Sequence, residues 1–180
     1  MRLIDRLDES SANYDALFVE LWGCVHDGLK PCDDAVAALT AYRASGGIVM
    51  LVTNAPRHRA SVAKQLDKIG VDPESWDDIA TSGDSARAAR YRGIVGTKIW
   101  FMGESPRDDD FFKPLKIIEN PGVVQKVPLE QAEGIVCCGP FDPLADVDVN
   151  RPEFLYDKQK GLKLLCATPG IVVDRGEQRE

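Results

Sequence analysis

At 180 residues, 44% of them hydrophobic, the chain is long enough for one ordinary domain or two small ones with a real core. A formal net charge of −7 excludes a general nucleic-acid binder, which needs a basic stripe against phosphates, but not a small anionic ligand held by local dipoles. No segment reads as a signal peptide or a membrane span. Five cysteines without a Cys-x-x-Cys pair and two histidines point away from a disulfide framework or a multi-histidine metal centre, so the sequence reads as cytoplasmic, reduced and soluble.

In chain order, "DALFVE" (15–20) predicts a buried parallel strand, because it is a short apolar run without alternation. From Asp33, "DDAVAALTAYRASGG" predicts a helix, with acids at its start, Val36, Leu39 and Tyr42 on one stripe, and Gly46-Gly47 as its stop. "IVMLV" (48–52) predicts a second buried strand and "TNAPRHR" a polar loop. "ASVAKQLDKIG" predicts a helix with Val62, Leu66 and Ile69 inward. A short strand near Ile79–Thr81 and a helix from about Asp84 follow. The βαβαβα order predicts a parallel sheet with right-handed crossovers.

After Gly93 the rhythm loosens. "KIWFMG" (98–103) predicts a strand, "ESPRDDDFFKP" a charged loop, and "KIIEN", "GVVQKV" and "EGIVCCGPFD" short strands. "RPEFLYDKQKG" predicts a helix with Pro152 in its first turn. "LKLLCATPG" and "IVVDRG" close the chain. The change of rhythm suggests an inserted α+β module.

In open parallel sheets, sites form at the carboxyl ends of strands. Glu20 ends the first strand, and Thr53-Asn54 end the second. One crossover separates them, so they can lie side by side. A carboxylate beside a hydroxyl and free loop amides suits phosphoryl transfer: the carboxylate attacks phosphorus or holds Mg²⁺, while hydroxyl and amides bind the phosphate oxygens. Strand-end acids and Thr-Asn turns also occur as caps and turn formers, and spacing alone leaves both readings open.

"YDALFVELWGCVHDG" followed by "GGIVMLVTNAPR" resembles the haloacid dehalogenase-like hydrolase superfamily, in its class IIA sugar-phosphatase-like branch. "IATSGDSARA", "GIVCCGPFD" and "GLKLLCATPGIVVDRGEQR" are similar to the same branch. The resemblance implies an α/β fold: a Rossmann-like core with a parallel sheet (1–84, resuming at 170–180) and an inserted α+β cap (85–169). It implies Mg²⁺-dependent hydrolysis of a small phosphorylated metabolite through an acyl-phosphate. By position, Glu20 takes the nucleophile's place and Trp22 the place of an acid/base aspartate, its backbone carbonyl facing the metal beside Glu20. Thr53 matches the phosphate-binding hydroxyl, with Asn54 beside it. Gly23 and His26 lie in the loop and flap after the nucleophile, with Asp27 and Gly28, and Arg57 follows the second motif toward substrate.

Two departures bear on activity. The family's nucleophile is aspartate, and the extra methylene of Glu20 displaces the carboxylate by about 1 Å, which can cost roughly a hundredfold in rate. The family's later lysine and acidic pair are not found after "DRGEQRE", so the core is expected to be incomplete at its C-terminal side. Activity of this chain is therefore expected to be impaired. The first strand is expected to be an exposed apolar edge prone to self-association or homo-oligomer formation. The competing reading is a non-catalytic phosphate-binding or interaction protein. Asp142, Asp146 and Asp148 read as solvated loop acids, Lys163 as a surface residue, Asp108-Asp109-Asp110 as a solvated charge run, and Cys24 and Cys137-Cys138 as packing residues. Thr168 and Gly170 stand where relatives carry more polar groups. A dinucleotide-binding domain lacks its Gly-x-Gly-x-x-Gly, and "GIVGTK" is wrongly spaced for a P-loop. A receiver domain would leave the second half unexplained.

Overall fold

The computed structural model describes residues 4–103, 108–116, 118–142, 146–168, 174–175 and 178–179. It is a mixed α/β structure in two compact units. The first comprises Met1–Thr53, Arg59–Ala80 and Gly170–Glu180; the second comprises Asn54–His58 and Thr81–Pro169.

The first unit opens with a single turn, α1 (Asp8–Ser11), followed by β1 (Ala16–Glu20), α2 (Asp33–Ala44), β2 (Ile48–Thr53), α3 (Arg59–Ile69) and β3 (Asp78–Thr81). The strands lie in the order β1-β2-β3, with β1 at an edge. β1 and β2 are parallel, in register from Ala16 opposite Ile48 to Glu20 opposite Val52. Asp33 and Asp34 in the first turn of α2 and Arg43 in its last complement the helix dipole. The exit from α2 is tight: a Cβ on Gly47 would fall 2.2 Å from the Tyr42 ring. That ring is buried, and its hydroxyl donates to the Tyr14 carbonyl at 2.6 Å. Asp77 accepts from the Val49 amide at 2.7 Å and from Arg43 Nη2 at 2.7 Å, tying the start of β2 to α2.

Both crossovers run in the same direction across this sheet. Right-handed connections then place α2 and α3 on the same face. Val49 and Leu51 of β2 are fully buried on that side, with Leu39, Tyr42, Val62 and Leu66 from the helices also buried. On the opposite face Ile48 is 52% exposed and Phe18 of β1 is 78% exposed. The uniformly buried strands expected from the apolar runs are thus half-buried ones, because helices cover a single face.

In the second unit α4 (Ser82–Tyr91) precedes β4 (Lys98–Met102), β5 (Gln125–Lys126), β6 (Gly134–Cys137), α5 (Arg151–Lys160) and β7 (Lys163–Cys166). The sheet order is β5-β4-β6-β7, and every neighbouring pair is parallel. Ile99, Phe101 and Val136 pack with Ala86, Val95, Phe111, Cys138 and Ala167 in its core. Gly134 is required where β6 passes the preceding loop, since a Cβ there would meet the Val95 carbonyl at 2.4 Å. Thr81 caps α4 by accepting from the Asp84 amide at 2.9 Å. Residues 174–175 and 178–179, which belong to the first unit, form a short antiparallel pair, β8 (Asp174–Arg175) and β9 (Gln178–Arg179).

Four expectations need correction, the first of them Cys24, read as a packing residue but exposed in the structure. Among the described residues "KIIEN" contains no strand, and its last residue, Asn120, takes φ 49°, outside the extended region a strand needs. Only Gln125–Lys126 of "GVVQKV" joins the sheet. Asp108 is not solvated but 5% exposed, its side chain lying against Gly103 and beside the Cys138 thiol. Most of "IVVDRG" lies outside the described residues, as does Gly170.

Candidate active site

The site candidates of the first unit gather at the carboxyl ends of β1 and β2. Glu20 is the last residue of β1 and sits in register with Val52. The ladder continues one step beyond, where the Leu21 amide donates to the Val52 carbonyl at 3.2 Å. Thr53, the next residue, ends β2 and is buried. The carboxylate of Glu20 is exposed, and its Oε1 accepts from the Leu21 amide at 3.1 Å.

The chain leaves β1 through a compact turn. The Leu21 carbonyl accepts from the amides of both Val25 (2.9 Å) and His26 (3.2 Å), and the His26 carbonyl accepts from Gly23 at 2.9 Å. These bonds leave the Trp22 carbonyl outside the turn's own ladder. Leu21 and Val25 anchor the turn, being 2% and 0% exposed. Gly23 supplies the left-handed residue the reversal needs, at φ +75°.

A narrow flap follows. The Cys32 amide returns to the Val25 carbonyl at 2.8 Å, and Asp27 Oδ1 accepts from the amides of Leu29 and Lys30, each at 2.9 Å. Those backbone donors hold the Asp27 carboxyl below its ordinary range. His26 is buried, and its Nδ1 accepts from the Gly28 amide at 2.9 Å, so the neutral ring carries its proton on Nε2. Burial pushes its pKa down from 6.5. The Trp22 indole packs edge-on against His26 with ring centroids 5.5 Å apart. The same indole covers Gly28, where a Cβ would fall 2.4 Å from Cη2. This Trp22–His26–Gly28 interlock is invisible in the sequence except as a glycine following an aromatic.

Asn54 and Arg57 group with the second unit. Their loop is pinned to the start of α4: the Gly83 amide donates to the Ala55 carbonyl at 3.0 Å, and a Cβ on Gly83 would meet the Pro56 carbonyl at 2.1 Å. The structure thus brings together Glu20, Trp22, Gly23, His26 and Thr53, while Asn54 and Arg57 belong to a separate body.

The acids set aside in the sequence have structural employment. Asp146 accepts from the Asp148 amide at 2.9 Å, and Asp148 pairs with Arg151 at 2.5 Å. A buried charged cluster was not anticipated. Arg87 and Arg90 are 2% and 0% exposed, beside Asp84 at 6%. The Arg90 guanidinium lies 4.1 Å from the Tyr91 ring centroid, 4.7 Å from that of Phe111 and 5.1 Å from that of Phe112. Burial, followed by the Asp108 charge, pushes the Cys138 thiol up to about 12, so it is an inert core group.

A family model for haloacid dehalogenase-like hydrolases matches residues 17–113, more than half of the chain. The chain belongs to that family. Its fold is similar to a haloacid dehalogenase-like hydrolase from Brucella suis 1330, at TM-score 0.87 and 32% identity, over 99% of this chain and 65% of that one. It is also similar to a 4-nitrophenylphosphatase from Thermotoga maritima, at TM-score 0.68 and 16% identity, over 94% of this chain and 60% of that one. A glycerol phosphate phosphatase from Mycobacterium tuberculosis, in complex with magnesium, matches at TM-score 0.62 and 19% identity, over 91% of this chain and 47% of that one. The chain therefore spans between about half and two-thirds of these relatives' length. No curated protein sequence matches it.

Proposed function

We propose that the chain carries the nucleophile-bearing half of a Mg²⁺-dependent phosphatase acting on a small phosphorylated metabolite in the cytoplasm. The observation that carries this reading is the register of β1 with β2, which puts residues Glu20 and Thr53 at the same ends of adjacent strands. In this reading residues 1–84 and 170–180 serve as the catalytic core and 85–169 as its cap.

The Glu20 carboxylate oxygen attacks phosphorus, the bond from phosphorus to the ester oxygen breaks, and a glutamyl phosphate forms. Water then cleaves that acyl-phosphate, releasing phosphate and restoring the carboxylate. In this reading Thr53 binds a phosphoryl oxygen and His26 Nε2–H contacts the substrate, while the Gly23 amide is already committed to the His26 carbonyl. The indole N–H at Trp22 is not acidic enough to protonate the departing oxygen, which must draw its proton from water. The donors present fit magnesium in kind. Mg²⁺ is held by one or two carboxylates with water and phosphate completing its shell, and Glu20 with the Trp22 carbonyl offers two hard oxygens at the strand end. When bound, the ion supplies charge neutralisation at the phosphoryl group.

The second reading, phosphate binding without turnover, is favoured by one observation: the strand-end carboxylate is a glutamate, one methylene longer than the aspartate expected of a nucleophile there. Phosphate titration followed by ³¹P NMR, beside p-nitrophenyl phosphate hydrolysis with Mg²⁺, separates the two. Glu20→Asp is expected to raise hydrolysis by up to about a hundredfold, since it withdraws the misplaced methylene. An unchanged or lower rate rejects Glu20 as nucleophile, and binding without hydrolysis in both proteins selects the second reading.

We further propose that β1 and the uncovered sheet face support self-association, on the exposure of Phe18 and Ile48. Nucleic acid is not a partner in this reading. Among the described residues no helix is long and apolar enough to cross a membrane.

A further inference from the structure

Three sulfur-bearing side chains stand in one row at the carboxyl ends of the second sheet. Met102 of β4 is the register partner of Cys137 of β6, and Cys137 is the register partner of Cys166 of β7. Register partners on adjacent strands project from the same face, so all three side chains share a face. The Cys137 thiol lies 3.9 Å from the Met102 thioether sulfur. The Cys137 thiol also lies 3.9 Å from the Gly139 carbonyl oxygen, and the Cys166 thiol donates to the Thr168 carbonyl at 3.2 Å. Both cysteines are free.

We propose that Met102, Cys137 and Cys166 form a binding site for a soft monovalent metal ion of the Cu(I) kind. Two thiols and a thioether are the donor set such an ion prefers, and one that hard ions such as Mg²⁺ refuse. Sulfur–metal bonds of about 2.3 Å in a trigonal arrangement place neighbouring sulfurs about 4.0 Å apart. The Met102–Cys137 separation of 3.9 Å already meets that spacing. The unbranched methionine side chain can swing to close the remaining edge toward Cys166. Access is graded along the row: Met102 is buried, Cys137 half-buried and Cys166 exposed. Trp100, two residues before Met102 and on the same face, packs edge-on with Phe141 at 5.8 Å and gives the row an apolar flank.

Binding balances without an oxidant or reductant. The ion arrives as M⁺, each thiol gives its proton to solvent, two thiolate–metal bonds form, and the thioether donates a lone pair. The site lies wholly within the second unit and is independent of the phosphatase reading.

The test uses the full chain, reduced and kept free of oxygen, titrated with Cu(I) against a chromogenic Cu(I) chelator, with Ag(I) as a redox-silent second probe. One equivalent should bind, with a thiolate-to-metal charge-transfer band and release of two protons. Cys137→Ser and Cys166→Ser should each weaken binding by more than the roughly 10–100-fold that loss of an outer-shell partner costs. Met102→Leu, which keeps the packing volume, should weaken it by about tenfold. Cys24→Ser and Cys32→Ser should leave it unchanged, and circular dichroism should show each variant folded. Undiminished affinity in Cys137→Ser or Cys166→Ser, loss in Cys24→Ser or Cys32→Ser, or no effect of Met102→Leu overturns the proposal.

Discussion

Replacing Gly28 by alanine tests whether the Trp22 indole closes the flap as described. Gly28 has φ +93°, where an L-residue costs about 1–2 kcal/mol. Its new Cβ would lie 2.4, 2.9 and 3.3 Å from three atoms of the indole. Carbon atoms prefer about 3.5–4.0 Å, so the ring must retreat by about 1 Å or more, an overpacking cost of about 1–3 kcal/mol. Gly28→Ala should therefore destabilise the first unit by about 2–5 kcal/mol. Trp22→Ala removes the obstacle but not the backbone strain, so the same substitution in that background should cost only about 1–2 kcal/mol. The coupling of about 1–3 kcal/mol is read from a double-mutant cycle in urea denaturation, followed by far-UV circular dichroism because one tryptophan is absent. An equal cost in both backgrounds would refute the packing of Trp22 over Gly28, and with it the idea that the indole sets the flap's position.

Two further outcomes follow from the first unit. His26 is buried with its pKa below the ordinary 6.5, so the unfolded chain takes up a proton before the folded one does. Its contribution to stability is complete above about pH 6.5 and declines as the pH falls toward the folded value, with a slope of up to about 1.4 kcal/mol per pH unit. His26→Asn keeps an acceptor for the Gly28 amide and should flatten that slope in denaturation series between about pH 7 and 5; an unchanged slope assigns the acid sensitivity elsewhere. Phe18 is 78% exposed on the edge strand, so Phe18→Lys should change folding stability by no more than about 0.5 kcal/mol while reducing concentration-dependent light scattering. Scattering that is monomeric for the original chain at every concentration would remove the basis for self-association.

Family membership was legible because it rests on local signals. Glu20 closes an apolar run, Thr53-Asn54 closes another, and the connecting helix shows an acidic start and a glycine stop. Those features depend on neighbours in the chain, and the crossover rule then fixes adjacency of the strands. Helices over 33–44, 59–69 and 151–160 were readable for the same reason, as were the strands at 98–102 and 134–137.

Burial was not readable in this way. The sequence "IVMLV" is apolar at every position, yet Val49 and Leu51 are enclosed while Ile48 lies open. The difference comes from two crossovers running in one direction, which leaves helices on one side only. Asp108 looked like part of a solvated run because like charges in sequence repel, but the fold buries it against Gly103, near the Cys138 thiol. The sulfur row needed β4, β6 and β7 to pair in one register, although Met102 and Cys166 are far apart in the chain. The sequence by itself determined which residues end each strand and hence the chemistry available there. Only the tertiary structure decided which faces are covered and which distant side chains meet, because those depend on strand order and register rather than on local propensity.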